Sequence, residues 1–444
     1  MRHSVRTILS FAAVAALGGL SLASVAVLRA QDTAVEIVFA SGPDDSGTVQ
    51  ALVDAFNDIH DGEIRVEWRA MPAQNDAHRE ALLSDLDANP GGIDLMASDV
   101  VWTAELARSG AVEDLTDRFY DDLDRESLLA EPLRSALYRL RIWGVPWYTD
   151  AGLLFYRRDL LGASGFTAPP RTWDELGSMA RRVMDESGTT HGFVFQGAEY
   201  EGGTVNAAEF IWSAGGEVMS SRMAVTGLVV TSVTEVDSIS VGSAAAAAGL
   251  DVARGLIADG ISPAEVVDFR EEQAVDAFAS GDAVFLRGWP YAYRVLRDAG
   301  FDADQIGVSP LPAAAGGKSA SCLGGFNLMV NARSTDAEQE AAWTLIRYLI
   351  SPLQQRRQAL EAGLLPVLGD LYDDAELVAE VPVIGVGREV FESQLHTRPM
   401  SPFYSAVSER IASAFGRTLR GELTGVQAAA LLEQELRAIV VRNR

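Results

Sequence analysis

The sequence contains very little cysteine and lysine. Its single cysteine, Cys322, cannot form an intramolecular disulfide, a four-cysteine zinc site or a cysteine-ligated iron–sulfur cluster. Its single lysine, Lys318, leaves only one position for a Schiff-base mechanism. Basic residues are also outnumbered, because 36 Lys and Arg stand against 62 Asp and Glu, for a formal net charge of -26. A phosphate-backbone binder needs a basic surface, so nucleic acid is not an expected partner.

Catalytic and cofactor-binding motifs are missing as well. No serine lies in a G-x-S-x-G pattern and no histidine in H-E-x-x-H, the signatures of a hydrolase elbow and a zinc protease. Residues 312–319 resemble a P-loop, but Pro312 stands where the first glycine should be. Proline has no N–H and a fixed φ, so it cannot form the phosphate-binding turn. We therefore predict a surface loop there and expect no cofactor and no metal ion.

The N-terminus has the composition of an export signal. Basic residues at positions 2, 3 and 6 precede an apolar run from Ile8 to Leu28, and the small residues Ala26 and Ala30 offer a cleavage site. The run is also long enough to span a bilayer. Residues 1–30 are therefore either a cleaved signal peptide or an uncleaved anchor through residues 8–28. Both alternatives place the mature chain in the periplasm or outside the cell.

The rest of the chain predicts an α/β protein. The length of 444 residues suggests two or three domains, and a composition of 48% hydrophobic and 22% charged residues is that of a globular protein. Hydrophobic periodicity switches repeatedly between the patterns of strand and helix. The order predicted from it is strand 35–40, helix 49–59, strand 63–69, helix 76–88, strand 93–97 and helix 100–108. This alternation is typical of a parallel or mixed sheet covered by helices.

Three further segments carry helix-start signals. Thr172 and Thr335 are each followed three residues later by Glu, as in a capping box. Ser262 is followed by Pro263, which favours a helix with proline at its first position. Residues 223–250 are less informative, because the β-rich part before the alanine run fits either a hairpin or an exposed loop.

Two aromatic clusters point to a ligand. Residues 143–156 and 287–293 combine tryptophan and tyrosine with proline, glycine, aspartate and arginine. Aromatic faces pack on the apolar side of a sugar ring, while charged groups form paired hydrogen bonds with hydroxyls. The simpler alternative is that these aromatics fill the core.

Several segments, in order along the chain, resemble one protein family. They are Leu95–Trp102 with Gly110, Pro146–Leu161, Pro169–Leu176, Phe195–Gly202, Trp289–Tyr291, Leu323–Phe326 and Arg398–Tyr404. The chain resembles the extracellular solute-binding proteins of bacterial and archaeal sugar ABC transporters, and within them the trehalose/maltose-binding branch. The resemblance spans nearly the whole mature chain.

The resemblance implies a two-lobed periplasmic-binding-protein fold of the type II kind. Each lobe would be a mixed β-sheet flanked by helices, with the ligand cleft between the lobes and closure by a hinge motion. The N-terminal lobe would comprise residues 31–150 and 325–365, and the C-terminal lobe residues 151–324 and 366–444.

The resemblance also implies a set of ligand-binding residues. Transferred position by position, they are Asp45, Arg79, Asp99, Tyr148, Asp150, Trp289, Tyr291, Gly325, Phe326 and Arg398. Gly325 would contribute a backbone contact, and the arginines and carboxylates would bind hydroxyls. Two positions depart from the family pattern. Asp45 is shorter than the expected glutamate, and Phe326 replaces a tryptophan that related proteins often carry.

The function expected from this resemblance is capture of a sugar outside the membrane. The chain would bind a disaccharide such as trehalose or maltose, deliver it to the membrane permease subunits of an ABC importer, act as a monomer and catalyse nothing. Two alternatives stay open at this stage. One is a secreted glycoside hydrolase that uses Asp99 and Asp150 as its acid and base. The other is a receptor for a polyol or a glycosylated osmolyte.

Overall fold

The computed structural model describes residues 34–88, 92–220, 223–226, 229–233 and 238–443. The predicted export signal at residues 1–30 lies outside these described residues. Within them, no helix combines the length and the apolar composition needed to cross a bilayer.

The strands, numbered in chain order, are β1 Val35–Ser41, β2 Ile64–Ala70, β3 Leu95–Asp99, β4 Leu137–Tyr138, β5 Arg141–Ile142, β6 Val145–Ala151, β7 Leu153–Arg157, β8 His191–Val194, β9 Met219–Ser220, β10 Met223–Thr226, β11 Val229–Val233, β12 Ser238–Ile239, β13 Ala283–Gly288, β14 Ile306–Ser309, β15 Ser321–Val330 and β16 Leu395–His396.

The α-helices are α1 Thr48–Ile59, α2 Asn75–Ala88, α3 Thr103–Ser109, α4 Thr116–Asp122, α5 Ala130–Ser135, α6 Arg158–Ala163, α7 Trp173–Ser187, α8 Glu201–Ser213, α9 Ala244–Ala258, α10 Glu271–Ala279, α11 Ala292–Asp298, α12 Asp336–Leu349, α13 Pro352–Ala362, α14 Ala375–Glu380, α15 Val383–Ser393, α16 Tyr404–Leu419 and α17 Gly425–Asn443. The predicted alternation of strands and helices over residues 35–109 is confirmed, with boundaries that shift by at most three residues.

Two mixed sheets organise the chain. The first has the order β16-β15-β3-β1-β2, with β6 paired to β15 as a sixth strand. Strands β1, β2 and β3 are parallel, whereas β15 runs antiparallel to both β3 and β6. The second sheet has the order β14-β7-β13-β8. Strands β6 and β7 belong to different sheets although only Gly152 separates them, so the chain passes from one sheet to the other within a single residue.

Each sheet has its own hydrophobic core. Phe39, Phe56 and Trp343 are buried against the first sheet. Phe193 and Phe210 are buried against the second. Some residues cross this division. Tyr404 at the start of α16 is buried among side chains of the first sheet and α3, and Cys322 on β15 is buried in the core of the second sheet.

The helix-start signals have different outcomes. The capping box at Thr335 is confirmed, because its hydroxyl accepts the Glu338 N–H at 3.3 Å while the Glu338 carboxylate accepts the Thr335 N–H at 2.7 Å. Thr172 also caps its helix, although Glu175 reaches back to Arg171 N–H instead. The α-helix predicted after Pro263 is wrong. Residues Ala264–Asp268 form a 3-10 turn and α10 begins only at Glu271, because Arg270 is extended and the Gln273 side chain caps its N–H at 3.0 Å.

The β-rich segment forms a hairpin. Strands β10 and β11 pair antiparallel across it, which resolves the choice between hairpin and loop. The alanine run that follows begins α9, and the Ser243 hydroxyl caps this helix by accepting the Ala246 N–H at 3.1 Å.

Candidate functional site

The first sheet brings three of the predicted residues into one row. Phe326 on β15 is opposite Asp99 at the end of β3 and also opposite Tyr148 on β6. Side chains directly opposite one another on neighbouring strands lie within contact distance. Asp99 is held in place by the Asn75 amide, which donates to Oδ2 at 2.7 Å, and by the Val101 N–H, which donates to Oδ1 at 3.1 Å.

The second sheet brings Trp289 to the same place. A methyl group on Gly324 would lie 2.9 Å from Cζ3 of Trp289 and 3.0 Å from Cβ of Asp150. The indole, the Asp150 side chain and the crossing strand β15 are therefore packed together, and only a glycine fits between them. Tyr291 precedes α11 nearby, and burial together with the charges of Glu271 and Asp150 raises its pKa above the ordinary range.

Asp150 is a buried carboxyl group with an unpaired oxygen. The residue is 8% exposed, and its Oδ1 has no hydrogen-bond partner among the described residues. Burial raises the pKa of Asp150 from 3.8 to about 8, against the favourable charge of Arg287. A buried polar atom without a partner is costly, and such groups concentrate where a ligand supplies the missing bond.

Phe326 is partly exposed and lies close to two other rings. Tyr148 stacks on it with centroids 5.3 Å apart and an interplanar angle of 29°. His78 stacks on it at 5.9 Å and 27°. These two rings cover part of Phe326, as Arg287 covers part of Trp289.

Arg398 is buried and paired within the protein. Its Nη1 donates to Glu201 Oε1 at 2.5 Å, its Nη2 donates to the Leu323 carbonyl at 3.0 Å, and Nη2 lies 3.6 Å from Asp99 Oδ1. Its Nε has no partner within the part of the chain that the structure describes. Only part of this guanidinium is therefore available to a ligand. Glu201 also accepts hydrogen bonds from the hydroxyls of Tyr404 and Ser408, at 2.6 and 2.5 Å.

Two of the three other predicted residues already have partners within the protein. The guanidinium of Arg79 forms a two-point ion pair with Glu105, which also accepts the Ser405 hydroxyl at 3.2 Å. The Gly325 carbonyl accepts the Val100 N–H at 3.2 Å. The third, Asp45, lies exposed in the loop before α1, and the preceding aspartate accepts the Val49 N–H of that helix.

A cavity of about 180 Å³ adjoins this cluster. It is lined by α5, by the segment after β3 and by residues 397–400. Arg398 is the one predicted ligand-binding residue among its lining residues. The aromatic groups and Asp150 lie outside it.

The sequence reasoning missed the acidic partners of the two buried arginines. Glu201 pairs with Arg398 and Glu209 pairs with Arg287, over separations of 197 and 78 residues. Both glutamates lie on α8, a helix in which every residue is buried. A glutamate within such an apolar helix was the available signal, because a charged side chain is rarely buried without a partner.

The pKa of Asp150 predicts an unusual pH dependence of stability. Between pH 4 and 8 the folded protein keeps a proton on this carboxyl that the unfolded chain releases. The free energy of unfolding therefore falls as pH rises through that window, by about 1.4 kcal/mol for each pH unit. Asp150→Asn should remove this slope and be more stable than wild type at pH 9. Chemical denaturation of both proteins at pH 5 and pH 9 measures the difference, and parallel pH profiles would contradict it.

The chain is similar to known binding proteins in sequence and in structure. Residues 40–356 match the family described as bacterial extracellular solute-binding protein. A probable ABC transporter-binding protein of Deinococcus radiodurans is 32% identical over 388 residues, 84% of this chain and 86% of that protein. The maltotriose-binding protein of Pyrococcus abyssi is 24% identical over 326 residues, 72% of this chain and 64% of that protein. The structure of maltose-bound MalE3 of T. maritima has a TM-score of 0.82 and 33% identity, covering 91% of this chain and 100% of that one.

Proposed function

Since the chain belongs to the family of bacterial extracellular solute-binding proteins, we propose that it captures a disaccharide such as trehalose or maltose for an ABC importer. The observation that carries this proposal is that the side chains of Asp150 and Trp289 lie next to each other. A buried carboxyl group with an unpaired oxygen lies beside a half-buried indole. A sugar meets both requirements, because a hydroxyl can bond to the carboxyl while the ring packs on the indole.

The other predicted residues complete the proposed site in different ways. Asp99 and Tyr148 supply polar atoms from the first sheet, and Tyr291 supplies a phenol from the second. Arg398 contributes the Nε that its protein partners leave open. Asp45, Arg79 and Gly325 take more distant or water-mediated contacts, since the last two already have partners within the protein. The proposed lobes comprise residues 31–150 with 325–365, and 151–324 with 366–444, and they close around the sugar.

Two rings already cover part of Phe326, which favours a ligand with one stacked ring. A glycosylated osmolyte has this character, because its second part is a flexible hydroxylated chain, and a polyol dispenses with stacking altogether. This observation keeps such ligands as the second candidate. A disaccharide remains the first, because Asp99, Tyr148 and Asp150 together offer enough polar atoms for the hydroxyls of a second ring.

A thermal-shift screen followed by calorimetric titration tests the proposed ligand. The panel contains maltose, trehalose, maltotriose, glucosylglycerol, mannitol and glucose, with sucrose as a further disaccharide. A ligand at about 100 times its Kd should raise the free energy of unfolding by about 2.7 kcal/mol. The same ligand should reduce the radius of gyration in solution scattering. A panel without any shift would refute the proposal.

The panel also separates binding from catalysis. We propose that the chain binds its sugar without converting it, so chromatography after prolonged incubation should recover the disaccharide intact. Release of monosaccharide that disappears in Asp150→Asn would instead support a glycoside hydrolase acting through Asp99 and Asp150.

We further propose that the mature chain is monomeric, acts in the periplasm or outside the cell, and docks on membrane permease subunits. The basic start, the apolar run and the small residues near position 30 support export with cleavage before Gln31. N-terminal sequencing of the exported protein should therefore begin close to Gln31. An intact Met1 on a membrane-bound product would favour the anchor, and on a cytoplasmic product it would contradict export.

A further inference from the structure

Arg287 has a different setting from the other arginines near the site. It is 2% exposed, and its guanidinium forms a two-point ion pair with Glu209, with Nε to Oε2 at 2.8 Å and Nη2 to Oε1 at 2.7 Å. Its central carbon lies 4.0 Å from the centroid of the Trp289 ring. The guanidinium therefore holds two partners at once, a carboxylate in its plane and an indole against its face.

Further hydrogen bonds hold Glu209 and Arg287 in place. Glu209 Oε1 also accepts the Cys322 N–H on β15 at 3.0 Å. The Gln196 amide donates to the Arg287 carbonyl at 3.0 Å, and the Asn206 amide donates to Gln196 at 2.9 Å. A methyl group on Gly152 would lie 1.9 Å from Glu209 Oε1, so only glycine fits at the junction of the two sheets.

This arrangement does more than neutralise charge. An ion pair needs no aromatic partner, and the buried guanidinium could have packed against aliphatic side chains. Instead it covers one face of an indole that remains partly exposed and whose edge touches Gly324 beside Asp150. Because a planar guanidinium restrained at two points cannot rotate, the ring stacked on it is fixed as well.

We propose that Arg287 is a positioning residue for ligand binding, which holds the Trp289 indole in its sugar-stacking orientation. This inference rests on the proposed sugar site. Arg287 does not itself touch the ligand, since its side chain is occupied by Glu209, Gln196 and Trp289. Affinity then depends on it through Trp289 rather than through a contact of its own.

The test is a double-mutant cycle on the full mature chain with the best sugar from the panel. Removing Arg287 alone would leave the Glu209 charge buried without its ion-pair partner, so the pair is replaced together as Glu209→Gln/Arg287→Met, which removes both charges and keeps an acceptor for the Cys322 N–H. We expect this variant to bind the sugar about tenfold more weakly than wild type. In the Trp289→Ala background the same replacement should change affinity by less than about threefold, because the residue on which it acts is gone.

A second variant covers the case in which the pair replacement does not fold. Arg287→Lys keeps the charge but loses the planar fork that the Trp289 indole stacks on, so it should weaken sugar binding in the wild-type background. In the Trp289→Ala background the same change should alter the affinity by less than about threefold.

The outcomes separate this inference from the proposed function. Equal losses of affinity in both backgrounds, or no loss from either variant, would overturn the positioning role while Trp289→Ala still shows the sugar site. A wild-type protein that binds no sugar overturns the proposed function and this inference together.

Discussion

Trp289→Ala should weaken sugar binding by roughly thirtyfold or more. The indole is partly exposed beside Asp150, whose Oδ1 has no partner among the described residues, and truncation of an anchoring aromatic side chain costs about 2 kcal/mol or more in binding. The loss of stability in the ligand-free protein should be smaller than for a fully buried tryptophan, because the indole is only partly buried against the core and against Arg287. Calorimetric affinity and the unfolding free energy are measured on the same variant.

Trp343→Ala is the matched control for this change. Trp343 is 1% exposed in the core of the first sheet, and its indole N–H donates to Asp122 at 2.7 Å. Its removal should cost about 3–5 kcal/mol of stability and leave the affinity of the folded fraction nearly unchanged. If Trp289→Ala behaved in the same way, Trp289 would be a packing residue and the proposed platform would be wrong.

Arg398→Ala should have its largest effect on stability. A surface arginine that binds hydroxyls could be removed at little cost to the ligand-free protein. Arg398, however, is buried between Glu201 and Asp99, and breaking a buried ion pair from one side costs about 3–5 kcal/mol. Burial raises the pKa of Asp99, and losing the opposing charge of Arg398 should raise it further. The midpoint of thermal unfolding should fall by roughly 5 °C.

The double variant Glu201→Gln/Arg398→Met separates stability from binding here. It removes both charges of the main pair, so it should recover a large part of the lost stability without recovering sugar affinity. An unchanged unfolding midpoint in Arg398→Ala would contradict the buried pairing of this arginine.

Much of the fold could be predicted because its signals are local. The helix beginning after Thr335 follows from a capping box of four residues, and the strands at 35–41 and 64–70 follow from short-range periodicity. The prediction of one helix after Pro263 is wrong for the opposite reason. Its proline is a good start for a helix, but the extended Arg270 and its Gln273 cap divide it into a 3-10 turn and a separate helix.

The candidate site was predictable only in part. Trp289 and Asp150 stand in aromatic clusters that are visible in the sequence, and the family resemblance connects them. Glu201, Glu209 and His78 have no comparable pattern, because their partners are distant along the chain and are brought close only by the packing of α8 and α2. The contacts of Phe326 with Tyr148 and His78 depend on strand register and on the packing of α2, which a single sequence does not specify.

The position of Cys322 gives this protein an intrinsic chemical reporter. The chain has no other thiol, and this one is fully buried on β15, where burial raises its pKa to about 12. Its backbone N–H donates to Glu209 and its carbonyl accepts the Gly152 N–H, so it lies where the two sheets meet. A thiol in that state does not react with alkylating reagents. Cys322 can therefore be labelled only when the junction between the two sheets opens. The labelling rate of the unmodified protein, measured with and without sugar, reports how often this opening occurs.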